Sequence, residues 1–419
     1  MRDIGTNWAG NHAYRAVRLV RPGSVEDLCE VVARSTEVRA LGSRHSFSDL
    51  ADSNGTLLDL SGLPADIRID DHAASVSVSG GVRYGELAAA IEEQGWALGA
   101  MASLPHISVA GAVSTGTHGS GDHTGSLAAS VRALEVVAPD GSPRRLTRAD
   151  ADFAGSVVAL GALGVVTRLE LDVEPSFEVC QEVRTGLTWP VVESSFDEIT
   201  GAAYSVSLFT RFGDGVDQMW LKHRATQAPP DDLFGTVAAE RTSHMLRGGA
   251  TQALTPQGGV PGPWLDRLPH FRLAFTPSNG EELQSEYFLA REHALEAIGR
   301  LRRISSRFAP LLQVAEIRTI ASDDLWLSGA HRRDTVALHF TWVRDEVAVR
   351  SVVREVEAEL VPLGARPHWG KVFEMDAVAL AEAFPRLRDF ASLRERVDPD
   401  HVFGNAFLDR VLGQGSEHH

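Results

Sequence analysis

The sequence is poor in cysteine, contains almost no lysine and has no long apolar run, and these scarcities narrow its class. Two cysteines, Cys29 and Cys180, cannot build a disulfide framework in 419 residues, so they favour a reducing compartment and a cytoplasmic protein. No apolar run reaches the roughly 20 residues of a membrane span. The first residues lack the apolar core of a signal peptide, so none is expected.

Basic charge is also in deficit. The chain has 40 Lys and Arg residues against 56 Asp and Glu, a formal net charge of −16, which argues against bulk binding to nucleic acid or anionic membranes. Among the basic residues only Lys222 and Lys371 are lysines. With 43% hydrophobic and 23% charged residues the composition is that of an ordinary globular protein, and the length suggests two or three domains.

The motifs of several common enzyme classes are missing. The sequence has no Gly-x-Gly-x-x-Gly after a strand and no Walker A loop, which argues against an ordinary Rossmann site and a P-loop. It has no Gly-x-Ser-x-Gly elbow of a serine hydrolase and no His-Glu-x-x-His or Cys-x-x-Cys zinc pattern. Glycines separate His118 from His123 and no third ligand is evident, so no metal site is expected.

Short strands and helices alternate over residues 1–175. Ser24 is a typical N-cap for a helix over residues 23–34, and the strict alternation of Ser75–Ser79 predicts a strand with one buried face. A second helix is predicted up to Gly95, and further strands at Glu37–Leu41, Leu57–Leu60, Val131–Val137, Arg144–Thr147 and Val165–Val173. Pro139–Ser142 is a good turn sequence, so the strands on either side of it are predicted to form a hairpin.

Residues 176–375 have a different predicted order of elements, in which helices and strands alternate around a second sheet. Helices are predicted over residues 291–308 and 345–361, and a long irregular excursion over 225–263. Strands are predicted at Tyr204–Phe209, Met219–Lys222, Val314–Ile320, Val336–Trp342 and Pro367–Phe373. The last 45 residues are predicted to be helical and to pack back on the first domain.

A first motif, Leu41–Ser48, follows a predicted strand with a tight turn of small residues. Successive amides in such a turn form a concavity that accepts a phosphate or pyrophosphate. The alternative is a plain loop with a surface histidine, His45. This motif alone does not decide between the two.

A second motif, Ala102–Gly121, is a run of glycines and small hydroxyl residues. Such residues pack a core poorly, but they let the backbone approach a long, flat, polar cofactor. A flexible linker is the alternative. Ile107, Val109 and Val113 supply buried anchors and therefore favour the cofactor site.

A third group lies in the predicted second sheet, where residues two apart in a strand share a face. Glu316 and Arg318 then share one face, as do His339 and Thr341, and His368–Lys371 follows later in the chain. A wall with an acid, a guanidinium, an imidazole and an ammonium is costly to bury unless it serves a ligand. The alternative is an exposed sheet face with ordinary ion pairs.

Together these motifs resemble the vanillyl-alcohol-oxidase type of FAD-linked oxidoreductases, and within it the sugar-alcohol and aldonolactone oxidases. The resemblance rests on Gly42–Ser46, Gly80–Tyr84, Ser103–Gly121 and His368–Lys371, and it runs over essentially the whole chain. The Gly-x-x-His-Ser turn is moderately specific. The glycine–hydroxyl segment joined to His-Trp-Gly-Lys is highly specific.

The resemblance implies an α+β fold with two domains. Residues 1–175 would form an FAD-binding α+β domain, and residues 176–375 a substrate (cap) domain built on a mainly antiparallel sheet. Residues 376–419 would return to the FAD domain.

The resemblance also implies the cofactor site. His45 matches the histidine that carries FAD covalently, a bond that prevents cofactor loss and raises the flavin potential. Val165 or Val166 would lie near the adenine part of FAD, and Thr341 near the ring. The other expected FAD contacts are Leu41, Gly42, Ser43, Arg44, Ser46, Phe47, Ser103, Ser108, Gly111, Thr115, Gly116, Thr117 and His118.

The implied reaction is oxidation of the C1 hydroxyl of a linear polyol, such as xylitol or sorbitol, to the aldose. Hydride would pass to flavin N5 and O₂ would be reduced to H₂O₂, with the small Ala102 leaving a route for oxygen. His339 is expected as the base, because an alcohol releases hydride only as its O–H proton leaves. Lys371 and Arg318 would stabilise the alkoxide and bind substrate. Ser103 and Glu316 would also bind substrate.

Three other functions stay open. An aldonolactone oxidase shares the His-Trp-Gly-Lys segment, and a dehydrogenase that excludes oxygen differs only in its electron acceptor. A flavin- or sugar-binding protein without turnover is disfavoured, because it has no need of a base such as His339 beside the ring. A monomer is expected, since no long apolar stripe is left unassigned.

Overall fold

The computed structural model describes residues 4–227, 232–275 and 281–413. Its first part holds four helices, α1 (Val25–Ala33), α2 (Tyr84–Glu92), α3 (Val109–Ser114) and α4 (Phe153–Ser156). The strands of this part are β1 (Arg18–Val20), β2 (Val38–Leu41), β3 (Thr56–Asp59), β4 (Ile67–Asp70), β5 (Ser75–Ser79), β6 (Trp96–Ala97), β7 (Val131–Val137), β8 (Pro143–Thr147), β9 (Val165–Asp172) and β10 (Glu174–Pro175).

Two sheets organise this first part. Strands β1, β3 and β2 form a three-stranded parallel sheet in that order. A five-stranded antiparallel sheet has the order β4-β5-β9-β7-β8, and the predicted hairpin is its β7–β8 edge. The predicted N-cap is confirmed, since Ser24 accepts a hydrogen bond from the amide of Asp27 at the start of α1.

The second part is one large sheet with helices on a single side. Its helices are α5 (Trp189–Thr200), α6 (Ala294–Phe308) and α7 (Glu346–Leu360). Its strands are β11 (Glu178–Thr185), β12 (Ser205–Thr210), β13 (Gln218–Arg224), β14 (Val237–Ala238), β15 (Gly262–Pro263), β16 (Glu282–Ala290), β17 (Leu312–Ile320), β18 (Thr335–Val343) and β19 (Arg366–Pro367). The sheet has nine strands in the order β14-β11-β13-β12-β17-β18-β16-β19, with β15 beside β11, and all its pairings are antiparallel.

Strand alternation gives this sheet two chemically different faces. On the back face, Leu283, Tyr287 and Leu338 are buried in one cluster with Ile298 of α6 and Val353 of α7. The opposite face, which we call the front face, carries polar and charged side chains. The helices cover the back face and leave the front face free. Strand order and register then determine which side chains meet on the front face.

One predicted strand is wrong. Instead of a strand over Pro367–Phe373, only Arg366–Pro367 pairs with β16. The chain then turns, and the amide of Lys371 donates to the carbonyl of His368 over 3.0 Å. This hydrogen bond closes a turn in place of a strand, and from the turn the Lys371 side chain reaches Glu286 on β16 over 2.7 Å.

The last helices, α8 (Ala377–Ala383), α9 (Leu387–Val397) and α10 (Ala406–Leu412), lie against the first part. Phe390 and Phe407 are fully buried in the same cluster as Val157 and Leu160. These contacts and the change of sheet support domains at 1–175, 176–375 and 376–419, which we keep as our proposal for the boundaries.

Arg39 on β2 ties these segments together. Its guanidinium is 2% exposed and donates to the carbonyls of Gly161, Phe403, Leu50 and Leu160 at 2.6–3.0 Å. A buried cation can link several segments in this way because both of its terminal nitrogens find acceptors.

We therefore expect Arg39→Met to lower the free energy of unfolding by about 3 kcal/mol, because four buried carbonyls lose their donor. Urea unfolding measures this loss. Arg34→Met is the matched control: its side chain is 78% exposed and pairs with Glu30 over 3.4 Å, so the expected loss is under about 0.5 kcal/mol. Equal losses in the two variants would contradict the role of Arg39.

Candidate active site

A cavity of about 500 Å³ lies between the first part and the front face of the second sheet. Its size is within the roughly 300–1,000 Å³ of typical ligand sites. The turn after β2 and the segment around α3 form one wall, and strands β16, β17 and β18 form the other. The two walls differ in chemistry.

The turn after β2 is held in a specific shape. Arg44 has a φ of 62°, a left-handed conformation of the kind found in anion-binding turns. The amide of Trp8 donates to the Arg44 carbonyl over 2.8 Å, and the amide of Phe47 donates to Gly370 over 2.7 Å. The turn is therefore braced from the N-terminal segment and from the loop that carries Lys371.

His45 lies between these braces and lines the cavity. Its ring is 5.0 Å from the Trp8 ring, edge to face. Burial lowers the pKa of His45 to about 4, with a smaller effect from His106, so the imidazole is neutral at physiological pH. Its Nδ1 is buried without a hydrogen-bond partner among the described residues. A neutral imidazole with an unpaired nitrogen has a lone pair available for nucleophilic attack.

Small residues bring the backbone to the surface of the same wall. A Cβ at Gly42 or Gly111 would come within 2.7 Å of Ser108 Oγ, and one at Gly80 within 2.4 Å of the Val166 carbonyl. Ser108 Oγ is itself buried and has no partner within the described ranges. This wall fits a long, flat, polar cofactor that lies on the backbone and supplies the missing hydrogen bond.

Most of the residues expected to contact FAD line this cavity. They are Leu41, Gly42, Ser43, Arg44, His45, Ser46, Phe47, Ser103, Ser108, Gly111, Thr115, Thr117, His118, Val166 and Thr341, and Ala102 lines it too. Val165 and Gly116 are not among the described residues that do. Val165 points the other way along β9, into a cluster with Leu28 and Val137, and Gly116 packs on Val158.

On the opposite wall the strand register sets three ionisable side chains in a row. His339 on β18 stands between Glu316 on β17 and Glu286 on β16, its direct partners in the two antiparallel pairings. Directly opposite residues share a face, so all three side chains project toward the cavity. All three line it.

Glu286 is the centre of the charge pairing. Lys371 Nζ donates to its Oε2 over 2.7 Å, Arg318 Nη2 donates to its Oε1 over 2.6 Å, and His118 Nε2 lies 3.2 Å away. Burial opposes ionisation of Glu286, but Lys371, His118 and Arg318 outweigh it and hold its pKa well below the usual range. The carboxylate thus fixes both cations at the cavity wall.

Glu316 organises the other half of the wall. Its Oε1 lies 2.9 Å from His270 Nε2, and its Oε2 lies 3.5 Å from Arg318 Nε and 3.6 Å from His339 Nδ1. Burial again opposes the charge, and Arg318 with His270 outweighs it, so the pKa of Glu316 is well below its usual range. The wall therefore carries two carboxylates and two cations as one buried network.

His339 is the member of this network that has a nitrogen free to accept a proton. Burial first, and then the charge of Lys371, lowers its pKa to about 4, so the ring is neutral near pH 7. Its Nε2 is buried with no hydrogen-bond partner among the residues the structure describes. A neutral histidine with one nitrogen toward a carboxylate and the other free has the form of a general base.

Sequence reasoning missed Glu286, His270 and Lys222 as members of this network. Gln284–Phe288 alternates between one face and the other, which was a signal for a strand with Glu286 on the polar face. His270 lies in irregular chain, where no periodic signal exists. The rarity of lysine pointed weakly to Lys222.

No group of three His, Cys, Asp or Glu side chains in the described ranges is placed to hold a metal ion. His118 is buried against Glu286, whereas His123 is exposed, so the two do not converge.

No helix in the described part of the chain is long and apolar enough to cross a membrane.

Comparisons with known proteins agree with both walls. A family model described as FAD binding domain matches residues 16–147, and one described as D-arabinono-1,4-lactone oxidase matches residues 278–411. An alditol oxidase of Streptomyces sp. is 51% identical, over 98% of this chain and 100% of the relative. An L-gulono-1,4-lactone dehydrogenase of Mycobacterium tuberculosis is 29% identical, over 99% and 100%.

A solved structure shares the fold. Cholesterol oxidase from B. sterolicum superposes with a TM-score of 0.79 over 98% of this chain and 97% of that chain, at 14% identity. The 51% identity to an alditol oxidase and the two family models show an FAD-dependent oxidoreductase of the vanillyl-alcohol-oxidase type, and the fold agrees with this class. The chain belongs to the family of sugar-alcohol and aldonolactone oxidases within that type, and FAD is its cofactor.

Proposed function

We propose that this enzyme oxidises the C1 primary hydroxyl of linear polyols such as xylitol and sorbitol to the aldose, with O₂ reduced to H₂O₂. The observation that carries the proposal is the free Nε2 of His339 in one wall with Lys371 and Arg318. The 51% identical relative named alditol oxidase supports the same substrate class.

The first wall would hold FAD, with the turn after β2 and Ser108, Gly111 and Thr115 along its length. FAD held there would supply a hydride acceptor for the substrate and an electron donor for O₂. We propose that His45 anchors it covalently. The neutral, uncommitted Nδ1 of His45 supports this attachment, because a nitrogen lone pair is needed to form the bond.

The second wall would act on the substrate. His339 Nε2 would take the hydroxyl proton as hydride leaves the same carbon. Lys371 and Arg318 would stabilise the negative charge that develops on oxygen, and Glu286 keeps both cations in place before substrate arrives. Preorganised charges of this kind need no rearrangement during the reaction, which is the source of their effect.

The polarity of the pocket supports a linear polyol over an aromatic alcohol. Ser103 lines the same cavity, and its carbonyl accepts from the amides of His270 and Phe271 at 3.1 and 3.2 Å, which fixes its backbone. Glu316 offers carboxylate oxygens to hydroxyl donors. A site built to pair several hydroxyl groups rejects substrates that lack them, because buried polar groups would be left unpaired.

An aldonolactone oxidase is the second candidate. The match of residues 278–411 to the D-arabinono-1,4-lactone oxidase model favours it, since that segment contributes most of the substrate wall. A monomer and a cytoplasmic location also remain proposals, the second supported by the two unbonded cysteines, Cys29 and Cys180.

The covalent anchor has a direct test. The purified protein should be yellow, and the colour should stay with the polypeptide after acid precipitation. His45→Ala should release all of the flavin to the supernatant, because the attacking nitrogen is gone, whereas the exposed His72→Ala should behave like the wild type. Colour that stays with the His45→Ala polypeptide would place the attachment elsewhere.

The substrate wall is tested by anaerobic mixing with xylitol, with flavin bleaching as the signal. His339→Ala and Lys371→Met should each slow bleaching on the order of 10²–10³-fold, because one removes the base and the other an oxyanion donor. In the wild type the rate should also fall as the pH drops through about 4, where His339 takes up a proton. The surface variant His293→Ala is the control, and undiminished bleaching in either site variant would remove that residue from the mechanism.

A further inference from the structure

The chain has two lysines against 38 arginines; Lys222 is buried, and Lys371 is partly buried with 14% of its side chain exposed. Lys371 has a role in the proposed reaction. Lys222 does not line the cavity as far as the structure describes it, and it is 1% exposed on β13. Burying an ammonium costs several kcal/mol unless its donors are paired, so its position calls for a function.

The contacts of Lys222 define the proton position on a neighbouring ring. Its Nζ donates to the carbonyls of Leu268 over 2.5 Å and Pro269 over 3.4 Å, and lies 3.0 Å from His270 Nδ1. An ammonium has three donors and no acceptor. His270 Nδ1 must therefore accept, which puts the ring proton on Nε2.

The proton on Nε2 of His270 determines how this ring contacts Glu316 in the cavity wall. Its Nε2 lies 2.9 Å from Glu316 Oε1 and, carrying the proton, donates to it. The rings of Phe209 and Trp220, with centroids 5.6 and 5.1 Å away, hold the imidazole in place. With Oε1 engaged, the other oxygen of Glu316 is the one that faces His339 Nδ1 at 3.6 Å.

We propose that Lys222 is a positioning residue for the polyol reaction. Lys222 acts through His270, which orients the carboxylate of Glu316. The oriented carboxylate keeps the proton of His339 on Nδ1, so that Nε2 is free to meet the substrate. The inference rests on the proposed function, because His339 is a base only there. Burial lowers the pKa of His270 to about 4, which agrees with a neutral ring. Burial also lowers the pKa of Lys222 to about 7, so its Nζ is mostly an ammonium below that pH.

The test compares variants by the rate of flavin reduction with xylitol and by KM. Lys222→Met keeps the length and removes the donors, so kcat should fall by about 10- to 100-fold, the usual loss for an outer hydrogen-bond partner of a reacting group. KM should change little, because Lys222 does not touch the cavity. Gln181→Met is the matched control: Gln181 is opposite Lys222 and donates to Thr255 and Pro256, but not to His270, so kcat should be unchanged.

Substitution of His270 tests the route of the effect. Glutamine can donate an amide N–H to Glu316 and accept from Lys222 without any choice of tautomer, so His270→Gln should keep most of kcat, whereas His270→Phe should lose it. In the His270→Gln background, Lys222→Met should cost about threefold or less, because the two changes act on one pathway. The same large loss in both backgrounds would overturn the inference. If Lys222→Met does not fold, equal losses in His270→Gln and His270→Phe would overturn it.

A measurement that needs no turnover separates the two proposals. In ¹H–¹⁵N spectra of the histidine rings, the signal that disappears in His270→Gln is assigned to His270. In the wild type this signal should show a proton on Nε2, and in Lys222→Met it should no longer do so. An Nε2–H signal that persists in Lys222→Met would contradict the inference even if the enzyme acts on polyols. Absence of xylitol oxidation by the wild type would instead contradict the proposed function and leave the ring measurement valid.

Discussion

The arrangement of this site depends on one buried carboxylate, that of Glu286, between two cations. Lys371 and Arg318 would repel each other at the cavity wall, and burying either charge without a partner would be costly. Glu286 resolves both problems, with contacts of 2.7 and 2.6 Å. The cost of burying these charges is met before substrate binds, so their field would be in place for the alkoxide of the proposed reaction.

One wall of the cavity is lined mainly by backbone and small residues, and the opposite wall by ionisable side chains. On the wall formed by the turn after β2 and the segment around α3, glycines and Ser108 bring the main chain to the cavity surface, and His45 is a neutral imidazole that would serve as the nucleophile of the proposed attachment. On the substrate wall, antiparallel register places His339 between two carboxylates. This register leaves His339 with Nδ1 toward a carboxylate and with Nε2 unpaired among the described residues, as the proposed base requires.

Local sequence patterns predicted much of this. Alternation along β17 and β18 placed Glu316 with Arg318 and His339 with Thr341 on common faces, because the side-chain period of a strand needs no tertiary knowledge. The resemblance to a known family supplied His45. The choice between Val165 and Val166 depended on which face of β9 meets the cavity, and only packing decides it.

What could not be predicted is which strands are neighbours. Glu286 meets His339 because β16 pairs with β18 across 53 residues of chain, and His270 reaches Glu316 from irregular chain with no periodic signal. Such contacts are set by long-range packing and not by local propensity. The turn over His368–Lys371 was mistaken for a strand for the same reason, since its shape is fixed by its contacts with β16.

The most direct test of the account is the initial rate of H₂O₂ release by the wild-type enzyme in air, with xylitol in one series and L-gulono-1,4-lactone in the other. A wall built for several hydroxyl groups and a developing alkoxide predicts peroxide from xylitol with the higher kcat/KM. Peroxide from the lactone alone would contradict it.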